Sequence, residues 1–397
     1  MTEVGARPAV SPLRRRLLDG VRMLFTPLLP DDYIELIDPL WSTRELRGRV
    51  ERIEPQADGA VTVHVRPGFE WAGHRPGQYV RFGVVVDGRH HWRAYSLTSA
   101  PDAPDGLVSI TPKLVDGGIV STFLARKIRV GAVVRLGEVE GTFTLPDRRA
   151  QRSTDGSADG SSHGSTDDPS DGPADAPSHD IDSPLLFVTA GSGITPVMSM
   201  LRHLHAEGAM RDVVHIHSAR SREHVIFGDV LDELDKREPG LRVHIWESGE
   251  SGHMTADDIA SVCPDWKERQ TYASGPGELL DQIKEYWDEA DAQDHLHVER
   301  FQPKVGGADS GGDGGTVRFP RRDIEAECPA GTPILEAGEE AGIDMPFGCR
   351  MGVCHTCVLR VREGSVRDLR TGDVQKLSNE MVRTCINAAE GPVELDH

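Results

Sequence analysis

Four cysteines near the end of the chain constrain its fold more than any other sequence feature. Cys349, Cys354, Cys357 and Cys385 fall within the last 49 of 397 residues, and the chain has only two other cysteines. Four residues separate Cys349 from Cys354, and two separate Cys354 from Cys357. A further 27 residues lie between Cys357 and Cys385. Such clustering in a long chain is typical of a metal site and not of a disulfide framework. The C-terminal segment is therefore predicted to fold around an inorganic group.

The spacing of these cysteines favours one inorganic group. C-x4-C-x2-C followed by a distant fourth cysteine is the pattern of a [2Fe–2S] cluster held by four thiolates. Gly348 and Gly352 let the backbone approach the cluster and direct N–H groups at its sulfurs. Structural zinc is the alternative, but zinc sites usually pair two C-x2-C units and the sequence has one. Cys263 and Cys328 lie outside the pattern and are predicted to be structural.

Composition excludes some classes of function. The formal charge of −20 argues against binding nucleic acid, whose phosphates require a basic surface. Part of this charge is local, because residues 150–183 contain eight Asp and one Arg. The sequence contains no run of 18 apolar residues, so a membrane-spanning helix is not expected. It also lacks the unbroken apolar core of a secretory signal, so export by that route is not expected. We expect a cytoplasmic protein.

Six segments follow from changes in pattern along the chain. Short alternating runs indicate an antiparallel barrel, whereas a strand–helix rhythm indicates an open parallel sheet. A Ser/Asp/Gly/Pro-rich segment cannot bury enough apolar surface to order itself. The predicted segments are an N-terminal helical extension (1–45), the barrel (46–149), a disordered acidic insertion (150–183), the parallel-sheet domain (184–303), a flexible linker (304–315) and the cysteine-rich domain (316–397). The fold class is thus a multidomain combination of α+β and α/β.

The extension contains a basic, partly apolar stretch from Leu13 to Leu29 with apolar residues at helical spacing. Packing of such a helix on the neighbouring domain is one interpretation. A helix lying on a membrane surface is the other, since basic and apolar residues together suit that interface.

Two motifs in the barrel region and one domain at the end carry a family resemblance. Residues 316–397 resemble plant-type ferredoxins, which have a β-grasp fold, and all four ligand positions match. Arg93-Ala94-Tyr95-Ser96 ends one strand, and Gly117-Gly118-Ile119-Val120-Ser121 opens a helix. In this order they resemble the flavin domain of the ferredoxin–NADP reductase superfamily, over residues 46–147.

That resemblance implies a role for each residue of the two motifs. Arg93 would pair with a flavin phosphate, and Tyr95 would stack on the isoalloxazine ring. Ser96 would place its hydroxyl near the reactive N5 atom. Gly118 and Ser121 would bind the phosphate at a helix N-terminus. Relatives with this domain order use FAD or FMN, and the resemblance favours FAD.

A glycine-rich turn opens the parallel-sheet domain. Gly191-Ser192-Gly193-Ile194-Thr195-Pro196 follows a strand, with Thr195 predicted as the helix cap and Pro196 as the first helical residue. The positive end of that helix suits a pyrophosphate. The next strand ends in Ser218, Arg220 and Arg222, which favour a 2′-phosphate and therefore NADPH over NADH.

The end of the domain completes the resemblance. Ser274-Gly275-Pro276 resembles the Cys-Gly-Pro segment that lies beside the nicotinamide in the family, with Ser in place of Cys. Glu299 and Phe301 match the final strand of the family and are predicted at the edge of the flavin.

The predicted activity is an electron-transfer reductase with the path NADPH → FAD → [2Fe–2S] → acceptor. The stretch LLPDDYIELIDPLWSTRELRG resembles bacterial NADPH-dependent reductases that feed membrane-bound stearoyl-CoA-type desaturases. Such a partner implies peripheral contact with the membrane. Two alternatives stay open: the NADH-dependent reductase of a Rieske-type aromatic-ring oxygenase, and a redox-sensing module that binds a cluster without turnover.

Overall fold

The structure is a computed structural model, which describes residues 37–86, 88–115, 118–146, 183–301, 312–343, 345–347, 352 and 355–397. The predicted helix at 13–29, nearly all of the acidic segment, and Cys349 and Cys354 lie outside the described residues.

The first sheet is the predicted antiparallel barrel sheet. Its six strands stand in the order β4-β3-β6-β1-β2-β5. Alternating side chains such as Val50, Val63, Val65 and Phe82 are fully buried, as expected when one face of each strand packs inward. The elements are β1 (Arg47–Pro55), β2 (Val61–Pro67), β3 (Tyr79–Val86), β4 (Arg89–Ser96), β5 (Val108–Ile110), α1 (Ile119–Arg126) and β6 (Val133–Glu140).

The second sheet has five strands in the order β11-β10-β7-β8-β9, and the neighbours from β10 to β9 are parallel. Every residue of β8 is buried, because helices cover both faces of such a sheet. Its strands are β7 (Leu185–Ala190), β8 (Val213–Ala219), β9 (Leu241–Glu247), β10 (Gln270–Ser274) and β11 (Leu296–Glu299). Its helices are α2 (Ile194–Ala206), α3 (Gly228–Arg237), α4 (Ser248–Ser251), α5 (Ala256–Val262) and α6 (Gly277–Glu289).

The third sheet lies in the cysteine-rich domain and mixes parallel and antiparallel pairs, with β12 parallel to β16. Its strands follow the order β13-β12-β16-β14-β15. One helix, α7 (Ile334–Glu340), contributes Ile334, Leu335 and Ala337 to the core of this domain. The strands are β12 (Gly315–Phe319), β13 (Ile324–Cys328), β14 (Val358–Asp368), β15 (Val374–Arg383) and β16 (Asn387–Asp396). The predicted fold class is confirmed.

Among the described helices, none is both long enough and apolar enough to cross a membrane.

A polar cluster interrupts the apolar core of the parallel sheet. The Thr189 hydroxyl lies 2.8 Å from His215 Nε2 and 2.8 Å from His217 Nδ1. One hydroxyl carries one hydrogen, so Thr189 donates to one ring and accepts from the other. His215 Nδ1 and His217 Nε2 are buried and have no hydrogen-bond partner in the described part of the chain. Burial therefore holds both rings neutral: it lowers the pKa of His217 to about 3 and that of His215 well below its usual value.

This cluster predicts that acid destabilises the parallel sheet. The folded state excludes the two protons, whereas the unfolded chain binds them as the pH falls below about 6.5. The contribution to stability is complete above that pH and is lost as the pH falls toward the folded-state pKa. Each ring contributes a slope of about 1.4 kcal/mol per pH unit once its unfolded form is protonated. Urea unfolding, followed by tryptophan fluorescence at several pH values, measures the slope.

In this experiment His217→Asn is expected to reduce the pH slope of the unfolding free energy by about 1.4 kcal/mol per pH unit, since one group with a depressed pKa is gone. His205→Asn changes an exposed histidine of α2 and serves as the control. Equal slopes for wild type and His217→Asn would show that His217 is protonated in the folded state.

Candidate functional site

Strand β4 carries the three residues predicted to contact the flavin. Arg93 is half-buried, donates to the Trp92 carbonyl over 2.8 Å, and has no carboxylate partner among the residues described. Its charge therefore remains available for a phosphate. The Tyr95 ring meets the buried Phe82 ring edge to face, with 6.4 Å between centroids. Ser96 is buried at the end of the strand.

The second predicted flavin motif lies at the start of α1. Gly118 is the N-cap and offers no side chain to the first N–H groups of the helix. The Ser121 hydroxyl donates to the Gly118 carbonyl and accepts from the Val115 N–H, each over 3.3 Å. A Cβ at Gly118 would lie 2.4 Å from Ser121 Oγ, so glycine is required for this tight turn. The turn leaves an uncapped helix N-terminus, which suits a phosphate.

The glycine turn after β7 has a different cap from the predicted one. Gly191–Gly193 form a 3₁₀ turn with Gly191 at φ +55°, and α2 begins at Ile194 with Gly193 as N-cap. The cap prediction for Thr195 is wrong, because its hydroxyl donates back to the Ser192 carbonyl over 2.9 Å. Pro196 is the third helical residue and not the first. The 3₁₀ turn starts the winding early, so the helix begins two residues sooner than predicted.

The observed start of α2 suits anion binding. No side chain caps the first N–H groups of α2, and a Cβ added at Gly191 would meet open space. The absence of a side-chain cap and the helix dipole both favour a pyrophosphate above this turn.

The residues predicted to bind the 2′-phosphate lie at the end of β8 and just after it. Ser218 is buried and pairs across the sheet with Ala190, which precedes the glycine turn. The Arg222 guanidinium forms an ion pair with Asp232, and the Arg222 N–H donates to Glu247 Oε2 over 3.0 Å. Arg220 is exposed and has no ion-pair partner within the described ranges. The structure thus leaves Arg220 as the unpaired cation of the predicted pair.

Ser274 and Glu299 each hold a buried oxygen without a partner. Ser274 Oγ, at the end of β10 just before Gly275 and Pro276, finds none among the described residues, and neither does Glu299 Oε2 at the end of β11. Burial raises the pKa of Glu299 to about 8, so its carboxyl is protonated at neutral pH. Phe301 follows β11 and is partly buried. An unpaired buried polar group costs about 1–3 kcal/mol, and a polar ligand would remove this cost.

Two of the four predicted cluster ligands lie within the described residues. Cys357 and Cys385 are buried, with their sulfurs 3.2 Å apart, close enough for both to bind one iron. The Gly352 N–H donates to Cys385 Sγ over 3.2 Å. Gly352 has φ +74°, and a Cβ there would lie 2.5 Å from Ile386, so both space and conformation require glycine. These residues fit a thiolate-bound cluster whose sulfurs receive backbone hydrogen bonds.

The remaining cysteines have local partners. The Cys328 thiol donates to the Thr332 carbonyl over 3.2 Å, and the Cys263 thiol donates to Asp265 Oδ1 over 3.3 Å. Burial is the main reason that the pKa of each thiol is raised. These local contacts support the predicted structural role of both cysteines. His355, between two ligand positions, is exposed.

Residues that join the barrel to the parallel sheet were missed by sequence reasoning. The Tyr272 hydroxyl donates to the Thr144 carbonyl over 3.1 Å, and Ser199 and Arg202 of α2 donate to carbonyls that follow β4. Their partners lie about a hundred residues away in sequence, so no local pattern reveals them.

The arrangement supplies three kinds of site, for a nucleotide, a flavin and a cluster. When bound, the nucleotide would supply two electrons together, and the flavin would divide this electron pair. The cluster would transfer one electron at a time. Among the described residues, the chain contributes cations without a carboxylate partner, helix N-termini without a side-chain cap and buried thiols that fit these groups.

Three protein families match the three domains of the chain. The oxidoreductase FAD-binding domain matches residues 68–144, the oxidoreductase NAD-binding domain matches residues 187–285, and the 2Fe-2S iron-sulfur cluster binding domain matches residues 318–389. The cofactors are thus FAD, NAD(P)H and a [2Fe–2S] cluster.

Solved structures share the fold. Phthalate dioxygenase reductase aligns with a TM-score of 0.52 and 22% identity, covering 89% of this chain and 98% of that one. An intact type IV self-sufficient cytochrome P450 monooxygenase aligns with a TM-score of 0.51 and 23% identity, covering 89% of this chain and 41% of that one.

Similar proteins of known name are reductases. A glycine betaine monooxygenase reductase subunit of Pseudomonas aeruginosa is 25% identical, over 81% of this chain and 87% of that protein. The NADPH oxidoreductase of Mycobacterium tuberculosis is 41% identical over 374 residues, which cover 94% of this chain and 89% of that protein. The chain therefore belongs to the family of NAD(P)H-dependent oxidoreductases that combine an FAD-binding domain, an NAD-binding domain and a C-terminal [2Fe–2S] domain.

Proposed function

We propose that this reductase uses NADPH and delivers single electrons from its [2Fe–2S] cluster to a membrane-bound fatty acyl desaturase of the stearoyl-CoA type. The observation that carries the electron path is the presence of all three cofactor domains in one chain. The choice of nucleotide and of acceptor rests on further residues.

Specific residues are assigned within the flavin and nucleotide sites. Arg93 pairs with a flavin phosphate, because its guanidinium has no acidic partner in the part of the chain described. Tyr95 and Ser96 face the isoalloxazine, and Gly118 with Ser121 holds the phosphate at the start of α1. The Gly191-Ser192-Gly193 turn, with Thr195 and Pro196 in the first turn of α2, holds the nucleotide pyrophosphate.

The nicotinamide end of the nucleotide site is assigned to residues with unmet polar groups. Gly275 and Pro276 follow Ser274, whose buried hydroxyl has no partner in the described chain. Glu299, protonated at neutral pH, and Phe301 lie at the edge of the flavin. A neutral Glu299 adds no negative charge as electrons arrive at the ring.

Preference for NADPH is supported by the end of β8. Ser218, Arg220 and Arg222 stand where an acidic residue would accept a 2′-hydroxyl in an NADH enzyme. Arg220 is the main determinant, because Arg222 is partly neutralised by Asp232.

Arg220→Ala is expected to raise KM for NADPH about 10- to 100-fold, the loss of one charge-assisted contact of about 1.5–3 kcal/mol. KM for NADH should stay unchanged. Steady-state reduction of ferricyanide measures both constants. Arg237→Ala, at the other end of the domain on α3, is the matched control. Equal effects of Arg220→Ala on the two nucleotides would contradict a 2′-phosphate role.

The electron path predicts a separation between flavin and cluster. Cys354→Ser and Cys385→Ser should each abolish the cluster signal in electron paramagnetic resonance and stop reduction of a one-electron protein acceptor. Bleaching of the flavin by NADPH should persist in stopped-flow absorbance. Cys328→Ala, a buried cysteine of the same domain, should keep the cluster. A cluster signal retained in Cys385→Ser would remove that residue from the ligand set.

The desaturase is supported by the residues before the barrel. Their resemblance to desaturase reductases extends over 28–48, and the basic apolar stretch at 13–29 suits docking at a membrane surface. A second candidate acceptor is a soluble oxygenase. Relatives named as reductases of glycine betaine monooxygenase and of 3-ketosteroid-9-alpha-monooxygenase favour it.

Incubation of the full chain with NADPH, stearoyl-CoA and membranes containing an acyl-CoA desaturase tests the choice. We expect NADPH-dependent formation of the monounsaturated product, with Cys385→Ser as the inactive control. The same chain should reduce a soluble Rieske-type oxygenase far more slowly. Fast reduction of the oxygenase without formation of the monounsaturated product would contradict the desaturase and support the soluble oxygenase as the acceptor.

A further inference from the structure

Helix α2 forms hydrogen bonds to the segment that follows β4, the strand with the proposed flavin contacts. Ser199 Oγ donates to the Ser99 carbonyl over 2.6 Å, and Arg202 donates to the Thr98 carbonyl over 2.6 Å. Both acceptors follow Ser96, the last residue of β4, by two and three residues. The four interacting residues belong to one compact unit that includes Tyr95–Ser274.

The barrel holds the same segment from its other side. The Thr98 N–H donates to the Ser109 carbonyl over 2.8 Å, and the Leu97 N–H donates to the Gln78 carbonyl over 2.8 Å. Backbone N–H groups therefore bind the barrel while the carbonyl groups bind α2. The segment after β4 is thus fixed between the barrel and the helix, with little freedom to shift.

Ser99 receives a second hydrogen bond. His74 Nε2 lies 3.2 Å from the Ser99 carbonyl, and burial lowers the pKa of His74 to about 4. The ring is neutral at physiological pH and donates through Nε2, since a carbonyl only accepts. Together with Ser199, His74 uses both lone pairs of the Ser99 oxygen.

Arg202 is placed unusually for a cation. It has no ion-pair partner among the residues described, its guanidinium lies 5.2 Å from the Phe227 ring centroid, and burial lowers its pKa. Removing a charge from water is costly unless its hydrogen bonds are strong. A charged donor on a single carbonyl is such a bond. Helix α2 therefore retains the charge of Arg202 despite its desolvation cost, and this charge donates to the Thr98 carbonyl after β4.

The start of α2 is the nucleotide site. Helix residue Ile194 follows the Gly191–Gly193 turn directly. Ser199 and Arg202 lie five and eight residues further, roughly 7 and 12 Å along a rigid helix, and three residues apart on one face. One helix thus connects the turn that binds the pyrophosphate to the segment that follows Ser96.

We propose that Ser199 and Arg202 are positioning residues that set the distance and angle between the bound nicotinamide and the flavin. The inference rests on the flavin and nucleotide roles proposed above. Neither residue is assigned a contact with a cofactor. Both act through the carbonyls of Thr98 and Ser99, which hold the end of β4 at a fixed place relative to the start of α2. Hydride transfer depends steeply on this distance, and a displacement near 1 Å costs up to about 100-fold in rate.

Stopped-flow reduction of the full holoenzyme by NADPH tests this role. In Ser199→Ala and Arg202→Met the limiting rate of flavin bleaching should fall about 10-fold or more, while the concentration for half-maximal rate changes less than about threefold. The isotope effect with deuterated NADPH should increase. Arg202→Lys, which keeps a charged donor, should recover part of the rate.

A second readout does not depend on turnover. Titration of the oxidised holoenzyme with NADP⁺ should perturb flavin absorbance less at saturation in both variants, because the nicotinamide lies at an altered angle. His205→Ala, on an exposed face of α2, should match wild type in rate and in difference spectrum.

Wild-type rates and difference spectra in both variants would overturn the positioning role. An equal loss in His205→Ala would also overturn it, since the effect would then come from the helix as a whole. If neither NADPH nor NADH bleaches the flavin of the wild-type protein, the proposed electron path is refuted. This outcome is distinct from any result on the variants.

Discussion

Helix α2 is buried over most of its length, and the arrangement of the two cofactor-binding sheets depends on how its polar groups are satisfied. Its residues from Ile194 to Leu201 are buried in succession, which is unusual for a helix at the surface of a sheet. A helix covered on several sides must place its polar side chains on specific acceptors, or lose their hydrogen bonds entirely. Ser199 and Arg202 find those acceptors on the barrel. Close packing also joins α2 to the barrel, since a Cβ at Gly77 would lie only 2.5 Å from Met200 Cε.

Buried polar atoms fall into two groups with different consequences. His215 and His217 share Thr189 and stay neutral, so they couple the stability of the parallel sheet to pH. Ser274 and Glu299, in contrast, stand at the ends of strands β10 and β11. Ligands in open α/β sheets bind beyond the carboxyl ends of the strands. The two groups differ in their hydrogen bonds: Thr189 satisfies one nitrogen of each histidine ring, whereas Ser274 Oγ and Glu299 Oε2 have no partner among the described residues.

Cluster binding places a different demand on the chain. The loop must bring thiolates together while directing N–H groups at their sulfurs, and this leaves no room for side chains at the closest points. Gly352 meets both demands through its positive φ and its contact with Ile386. The turns at Gly191 and Gly118 also lack a Cβ, and the helices that follow them have no side-chain cap, which suits the phosphate-binding roles proposed for both.

The sequence by itself determined the three sheets, their order along the chain and the three cofactors, because strand alternation, glycine turns and cysteine spacing are local patterns. It did not determine the start of α2, where a 3₁₀ turn moved the cap from Thr195 to Gly193. It also treated Arg220 and Arg222 alike, whereas the fold pairs Arg222 with Asp232. Only the tertiary structure decided the contacts of Ser199, Arg202 and Tyr272 with the barrel. Their hydrogen bonds join residues about a hundred positions apart, so they exist only after both sheets have folded and packed together.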